Sequence, residues 1–304
     1  MTLIDVHTMF SSDAKCRELL KRLRWPNAPE CPKCKGPAVS LNTDKDLLYC
    51  KDCDYQFTVT AGTIFHDSHL PLIKWFCAVY LLCESRKGMS ANQIKRMLGI
   101  SYKTAWYLCH RIRKAMSLVD RPMLDGVVEM DETFIGGKRK AYAGRAPHAE
   151  KEIVVGIRQR GGALRMFHAK DIKGGTLGRY IRANISRDLE VFITDEFASY
   201  QKAVAFSMPI TKHRTVNHSR RVYVDGDIHT NTIESAFSLL KRGITGTWHS
   251  ISAKHLQAYL DEMTFRFDRR KRSDLFLDTL RHMVTADPLT FEKLTADPKI
   301  KAVA

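Results

Sequence analysis

The sequence predicts an α/β protein in which a layered domain of strands and helices follows a small zinc ribbon and a helix-turn-helix. Three observations carry this expectation. Four cysteines near the N-terminus fall into two C-x2-C pairs. Residues 70–118 read helical throughout. From residue 125 short β-rich runs appear and then give way to helical periodicity, as expected of a sheet packed with helices.

Length and composition bound the rest. The chain has 304 residues, enough for two or three domains. Apolar residues make up 44% and charged residues 27%, which excludes a disordered chain. Lys and Arg number 49 against 33 acids, a formal net charge of +16. Such an excess points to a polyanionic partner, nucleic acid ahead of an anionic membrane. The N-terminus, "MTLIDVHTMFSSDAK", lacks the basic and apolar regions of a signal peptide. The longest apolar run, Trp75–Cys83, falls far short of the ~20 residues that span a bilayer. The expectation is a cytoplasmic protein without a membrane partner, its eight cysteines reduced thiols or metal ligands.

Along the chain, residues 1–30 carry an amphipathic helical segment, "CRELLKRLRW", stopped by Pro26. Residues 31–65 form the expected ribbon. Cys31 and Cys34, then Cys50 and Cys53, make C-x2-C-x15-C-x2-C, the spacing of a four-thiolate zinc site. Each C-x2-C turn presents two sulfurs, and two turns close a tetrahedron, so this zinc is structural. The intervening segments are too poor in core to fold without the metal. Cys16, Cys77, Cys83 and Cys109 lack such pairing and read as small core residues.

Residues 70–120 read as a helix-turn-helix domain. After a helix over Leu72–Leu82, Ser90 caps a second helix carrying Ile94 and Leu98, and Gly99 supplies the turn. Ser101 starts a third helix, with Ala105, Leu108 and Ile112 inward and Tyr102, Lys103, Arg111 and Lys114 on the outer face as candidate DNA contacts. An ordinary helical hairpin with solvated basic residues is the plainer alternative. Further positive charge for DNA comes from Arg113 and the "FRFDRRKR" run at 265–272.

Pro122 and Asp125–Gly126 punctuate the junction to a domain over 125–272. Strands are expected at Gly126–Met130, Glu152–Arg158, Leu164–Ala169 and Leu189–Thr194. Helices are expected at Thr176–Asn184, around Ser199–Phe206 and Thr232–Lys241, and at Ala253–Arg269. The run "GVVEMDETFIGGK" ends its apolar stretch in Glu129, Asp131 and Glu132. Strand alternation puts Glu129 and Asp131 on one face and Glu132 on the other. Asp195 closes a second apolar run, so neighbouring strands could bring Asp131 and Asp195 together. Two such acids repel unless a cation lies between them, and hard carboxylate oxygens suit Mg²⁺ or Mn²⁺. On the helix after residue 230, Ile233, Phe237 and Leu240 form one stripe. Glu234, Ser238 and Lys241 form the stripe beside it. Taken singly, Asp131 and Asp195 also suit strand-end turns, and Glu234 suits a capping box with Asn231.

Together these residues carry a family resemblance. Asp131, Asp195 and Glu234, with Lys241 seven residues on, resemble the Asp-Asp-Glu triad and trailing lysine of transposases and retroviral integrases with a ribonuclease-H-like fold. The stretches "CPKC…YCKDC", "AGTIFHDSHLPLIKWF", "EMDETFIGGK", "TDEFASY" and "HTNTIESAFSLLKRGITGTWHSISAKHLQAYLDEMTFRFDRR" are similar to the ISXO2-like insertion-sequence transposases of the IS1595 family. They span roughly residues 15–270; residues 273–304 remain a C-terminal extension without a matching motif.

The resemblance implies a ribonuclease-H-like catalytic domain that cleaves DNA at insertion-sequence ends and performs strand transfer. It makes Asp131, Asp195 and Glu234 ligands of Mg²⁺ or Mn²⁺, with Lys241 a DNA contact. Tyr223, His229 and Asn231 match as residues beside the site, Asn231 being a candidate contributor to the metal. Asp131 is the expected essential acid, with Glu129 and Glu132 secondary. Two metal ions roughly 4 Å apart would clamp one phosphodiester for in-line attack. The implied partners are double-stranded DNA, as element ends and target, and further copies of the chain in a homo-oligomer. A non-catalytic DNA-binding regulator and a metal nuclease that cuts without joining are the rival readings.

Overall fold

The computed structural model describes residues 1–42, 46–117, 121–136, 151–216 and 228–296. It divides into two compact units, Met1–Ser117 with Arg269–Ala304, and Leu118–Asp268.

The first unit opens with α1 (Leu3–Met9) and α2 (Asp13–Arg24), each N-capped by a hydroxyl, from Thr2 and Ser12. A three-stranded antiparallel sheet follows, β1 (Ala38–Asn42), β2 (Leu47–Cys50) and β3 (Gln56–Phe57). Its core is small: Ala38, Leu48, Phe57 and Ala61 with buried Cys31 and Cys50. Then come α3 (Leu72–Glu84), α4 (Ala91–Leu98) and α5 (Tyr102–Met116). Ser90 and Gln93 close a capping box at the start of α4. Gly99 ends it at φ 59°, a left-handed conformation that a side chain would strain. Ser101 caps α5, whose Ala105, Leu108 and Ile112 point inward.

Two C-terminal helices, α10 (Leu275–Thr285) and α11 (Phe291–Thr295), belong to this same unit. α10 packs on α2, α3 and α5. Phe276 lies against Phe10 and Phe76, with ring centroids 6.2 and 5.9 Å away. α10 is thus part of the N-terminal core.

The second unit is built on a five-stranded sheet of order β6-β5-β4-β7-β8. Its strands are β4 (Val127–Ile135), β5 (Glu152–Gln159), β6 (Leu164–Ala169), β7 (Val191–Asp195) and β8 (His213–Val216). β4, β5 and β6 pair antiparallel; β7 pairs parallel with β4, and β8 parallel with β7. Helices cover both faces. α6 (Gly174–Asn184) and α7 (Ala198–Ala205) close one core with Val128, Met130, Val155 and Ile157. α8 (Asn231–Gly243) and α9 (Ala253–Arg269) close the other with Val154, Leu164 and Met166.

Two expectations change. β8 has no counterpart among the expected strands, because its HRTV run is too short and polar to show a period. The first strand continues past Met130 to Ile135, so Asp131 lies inside β4 and not at its end. The reason is pairing: β5 accompanies β4 as far as Ile135↔Glu152. Ladder bonds of this kind hold three acids in a strand that hydropathy alone would end. Among the described residues no helix is long and apolar enough to cross a membrane.

Candidate functional site

Two clusters emerge from these units. In the ribbon, Cys31, Cys34, Cys50 and Cys53 bring all four sulfurs within 4.8 Å of one another. Both knuckles share one construction. Lys35 N donates to Cys31 O at 2.9 Å and Asp54 N to Cys50 O at 3.1 Å. Lys35 and Asp54 are left-handed, with φ of 65° and 56°. Backbone N–H groups of Lys33 and Gly36 point at the sulfurs of Cys31 and Cys34, each at 3.4 Å. The closest sulfur pairs, 3.4 and 3.7 Å, are far beyond the ~2.05 Å of a disulfide. Four converging thiols in a closed, core-poor ribbon fit structural zinc. The other cysteines, Cys16, Cys77, Cys83 and Cys109, are buried, and burial pushes the Cys16 thiol up to about 12.

The second cluster lies on the sheet of the C-terminal unit. β4 and β7 run parallel with Val127 beside Val191 and Glu129 beside Ile193. Continuing that register by two residues sets Asp131 abreast of Asp195. Asp131 pairs across β5 with Gly156, and paired residues share a face. A Cβ on Gly156 would come within 2.7 Å of Ile233 and Phe237, so its absence lets α8 lie close on this face. α8 buries Ile233, Ala236, Phe237 and Leu240 and leaves Glu234, Ser238 and Lys241 exposed. Lys241 lies about two turns beyond Glu234 on that stripe.

Electrostatics tie the acids together. Burial first, then the charges of Glu132, Asp195 and Glu234, push the Asp131 carboxyl up to about 8. Such a concentration of hard carboxylate oxygens fits a Mg²⁺ or Mn²⁺ centre. The three acids are more loosely gathered than the thiols: among the described residues only the cysteines have every ligand atom within 4.8 Å. Asp195 Oδ1 accepts from Phe197 N at 3.1 Å. Glu234 does not form the capping box with Asn231. α8 begins at Asn231 itself, and the Thr230 hydroxyl donates to Glu234 Oε1 at 3.0 Å.

The neighbouring acids divide by face, as alternation requires. Glu132 points away from α8 and accepts from the Tyr200 hydroxyl at 2.5 Å, inside the α6–α7 core. Glu129 faces α8 and is fully buried. Arg160 Nε donates to it at 2.6 Å, and His229 Nδ1 lies 3.5 Å away. Arg160 and Tyr200 escaped the sequence reading. The alternating arginines of "GIRQR" at the end of β5 were the one local signal for the former. Tyr223 lies outside the described residues.

The helix-turn-helix face needs correction at Arg111. Tyr102, Lys103 and Lys114 are exposed, but Arg111 is buried. Its Nη2 donates to His66 O at 2.5 Å, and its guanidinium lies over the Trp75 and Tyr107 rings at 4.9 and 5.2 Å. Arg113 is buried too. α10 packs on α5, and Tyr102, Lys103 and Thr104 in its N-terminal turn are the exposed part. Lys103 extends over the Phe291 ring, 4.6 Å from its centroid. The basic run at 265–272 is likewise largely paired internally: Arg266 with Glu262, Arg269 with Asp278, and Arg272 with Asp274 and Asp278.

A mixed sheet of this order, three antiparallel strands followed by two parallel ones with helices on both faces, defines a ribonuclease-H-like domain of the transposase nuclease class. Residues 123–268 match the family described as "ISXO2-like transposase domain", and residues 11–56 match "Transposase zinc-ribbon domain". A protein of Halobacterium salinarum, described as an uncharacterized protein in transposable element ISH50, is 31% identical over 277 residues. That alignment covers 84% of this chain and 91% of the relative. A chain from the crystal structure of the Mos1 strand transfer complex aligns at 12% identity with a TM-score of 0.31. It covers 69% of this chain and 74% of that one. This chain belongs to the ISXO2-like transposase family.

Proposed function

We propose that this transposase cuts DNA at the ends of its insertion sequence and joins the freed 3′ ends to target DNA. The observation that supports the reading is the parallel register of β4 with β7, paired as far as Glu129 beside Ile193, which when continued by two residues brings Asp131 level with Asp195, together with the charges of Asp195 and Glu234 acting on Asp131. In this reading Asp131, Asp195 and Glu234 hold the catalytic metal, and Lys241 offers its ammonium to a neighbouring phosphate. Mg²⁺ or Mn²⁺, when bound, supplies Lewis-acid stabilisation of the attacking and leaving oxygens. Without the cation the acidic cluster disfavours a bare phosphodiester, which makes substrate binding depend on the cation. Tyr200 is fully buried with its hydroxyl given to Glu132, so it offers DNA no nucleophile. Water, and then a DNA 3′-hydroxyl, remain as the attacking groups.

The N-terminal unit is the reader of double-stranded DNA in this proposal. The exposed first turn of α5, with Tyr102 and Lys103, is the part that enters a groove in helix-turn-helix proteins. Lys114, exposed near the end of α5, offers its charge to the DNA backbone in this reading. Zinc holds the ribbon beside it in sequence. Bringing two element ends together calls for a homo-oligomer.

Asp131→Asn tests the reading, because it keeps the shape and removes a ligand charge. Cleavage of an end-bearing duplex in Mg²⁺ should fall about a hundredfold or more, and end binding by the same protein should persist. Cleavage at the wild-type rate would overturn the catalytic assignment. A labelled 3′-OH end separates joining from hydrolysis; cutting without joining would leave a nuclease.

A further inference from the structure

Resting on that catalytic reading, we propose that Glu129 is a positioning residue: it clamps the first turn of α8 to the sheet and so sets Glu234 against Asp131. It shares a face with Asp131 and is fully buried, yet its oxygens are already committed. Oε1 accepts from Arg160 Nε at 2.6 Å, and Oε2 accepts from the backbone N–H of Ile233 at 2.9 Å. Ile233 directly precedes Glu234.

α8 needs this outside acceptor. Its N-cap, Thr230, makes no side-chain capping bond, because its hydroxyl is turned to Glu234. An anionic acceptor at a helix N-terminus satisfies an orphan N–H and complements the helix dipole. Two further straps hold the same turn. Arg160 Nη2 donates to His229 O at 2.9 Å, and Arg158 Nη1 donates to Thr232 O at 2.6 Å and Ser235 Oγ at 3.1 Å. Arg158 lies in β5 and Arg160 directly follows it, and Gly156 of that strand allows the close approach. The strands that carry Asp131 and its partner therefore grip the turn that carries Glu234. For Glu129 to turn to a metal, it would have to leave the Arg160 guanidinium without that bond.

Glu129→Gln in the full chain tests this, with Mn²⁺ binding and cleavage measured beside amide exchange of the metal-free protein. Exchange in residues 229–236 should rise about tenfold, because the neutral amide cannot serve Arg160 and Ile233 together. Mn²⁺ affinity should fall roughly 10- to 100-fold, and cleavage should recover as Mn²⁺ is raised. Unchanged exchange in 229–236 overturns the clamp; unchanged exchange with lost Mn²⁺ binding would make Glu129 a ligand instead. Asp131→Asn is the control: it should lose Mn²⁺ and keep wild-type exchange in 229–236. If it binds Mn²⁺ like the wild type, the catalytic reading fails, while exchange in Glu129→Gln still judges the clamp. Should Glu129→Gln not fold, the double variant Glu129→Gln with Arg160→Gln, which leaves no lone charge, carries the same measurements.

Discussion

Asp131 is held in an environment that resists its ionisation. In the metal-free protein its folded-state carboxyl titrates at about 8, above the unfolded value of 3.8, with burial the main cause and neighbouring acids adding to it. The folded state therefore keeps a proton that the unfolded state has released. Stability from this group is full below pH 4 and is lost as pH rises through 8. Amide exchange of β4 peptides in urea should show protection falling from pH 5 to pH 8, with a shallower fall in Asp131→Asn. Added Mg²⁺ should flatten the wild-type slope. The basic residues of α5 differ among themselves in the same local way. Lys103→Ala should lower the slope of log affinity against log salt by about one, as for a lost phosphate contact. Arg111→Ala should leave that slope unchanged while lowering the stability of the N-terminal unit, since it removes a buried bond to His66 and packing on Trp75.

At the scale of elements, the ribbon is the least self-sufficient part. β1, β2 and β3 enclose only a few apolar side chains. A structural zinc site in such a module contributes about 10–16 kcal/mol of apparent binding free energy, which is also folding free energy. Cys34→Ser should lower zinc content by metal analysis and raise amide exchange across residues 38–57. Exchange in β4 and β5 should not move, because those strands have their own cores on both faces. A variant with normal exchange in 38–57 and no zinc would overturn the structural role.

Among the described residues, 269–296 complete the unit begun by residues 1–117. Leu275, Phe276, Leu280, Met283 and Val284 are all buried. Cys83 Sγ meets Thr279 Oγ1 at 3.1 Å, and Ile64 N donates to Met283 O at 3.3 Å. Phe276→Ala should cost about 3–5 kcal/mol. The loss should appear as faster exchange in α2, α3, α5 and α10, with β4 and β5 unaffected, and as weaker end binding. Loss of protection confined to α10 alone would show that the C-terminal helices are a separate appendage.

What the sequence by itself determined is what short-range physics controls. The cysteine pairs set the knuckles because the turn between two ligands is made locally. The Ser90 cap, the left-handed Gly99 and the Ser101 cap bounded α4 and α5 for the same reason. The period of α8 put Ile233, Phe237 and Leu240 inward and Glu234 and Lys241 outward, and strand alternation separated Glu129 from Glu132. Only the tertiary structure decided the rest, because the deciding partner lay far along the chain. β4 runs on to Ile135 because β5 pairs with it there. Arg111 is buried because it bonds to His66 O and lies over the Trp75 ring, partners far from it along the chain. Glu129, which reads as one more acid beside Asp131, turns to the Ile233 N–H and Arg160, and no local pattern couples a strand acid to a helix start a hundred residues on. Burial and long-range hydrogen bonding, not composition, separate the exposed Glu234 from Glu129, buried and bonded to Arg160 and the Ile233 N–H.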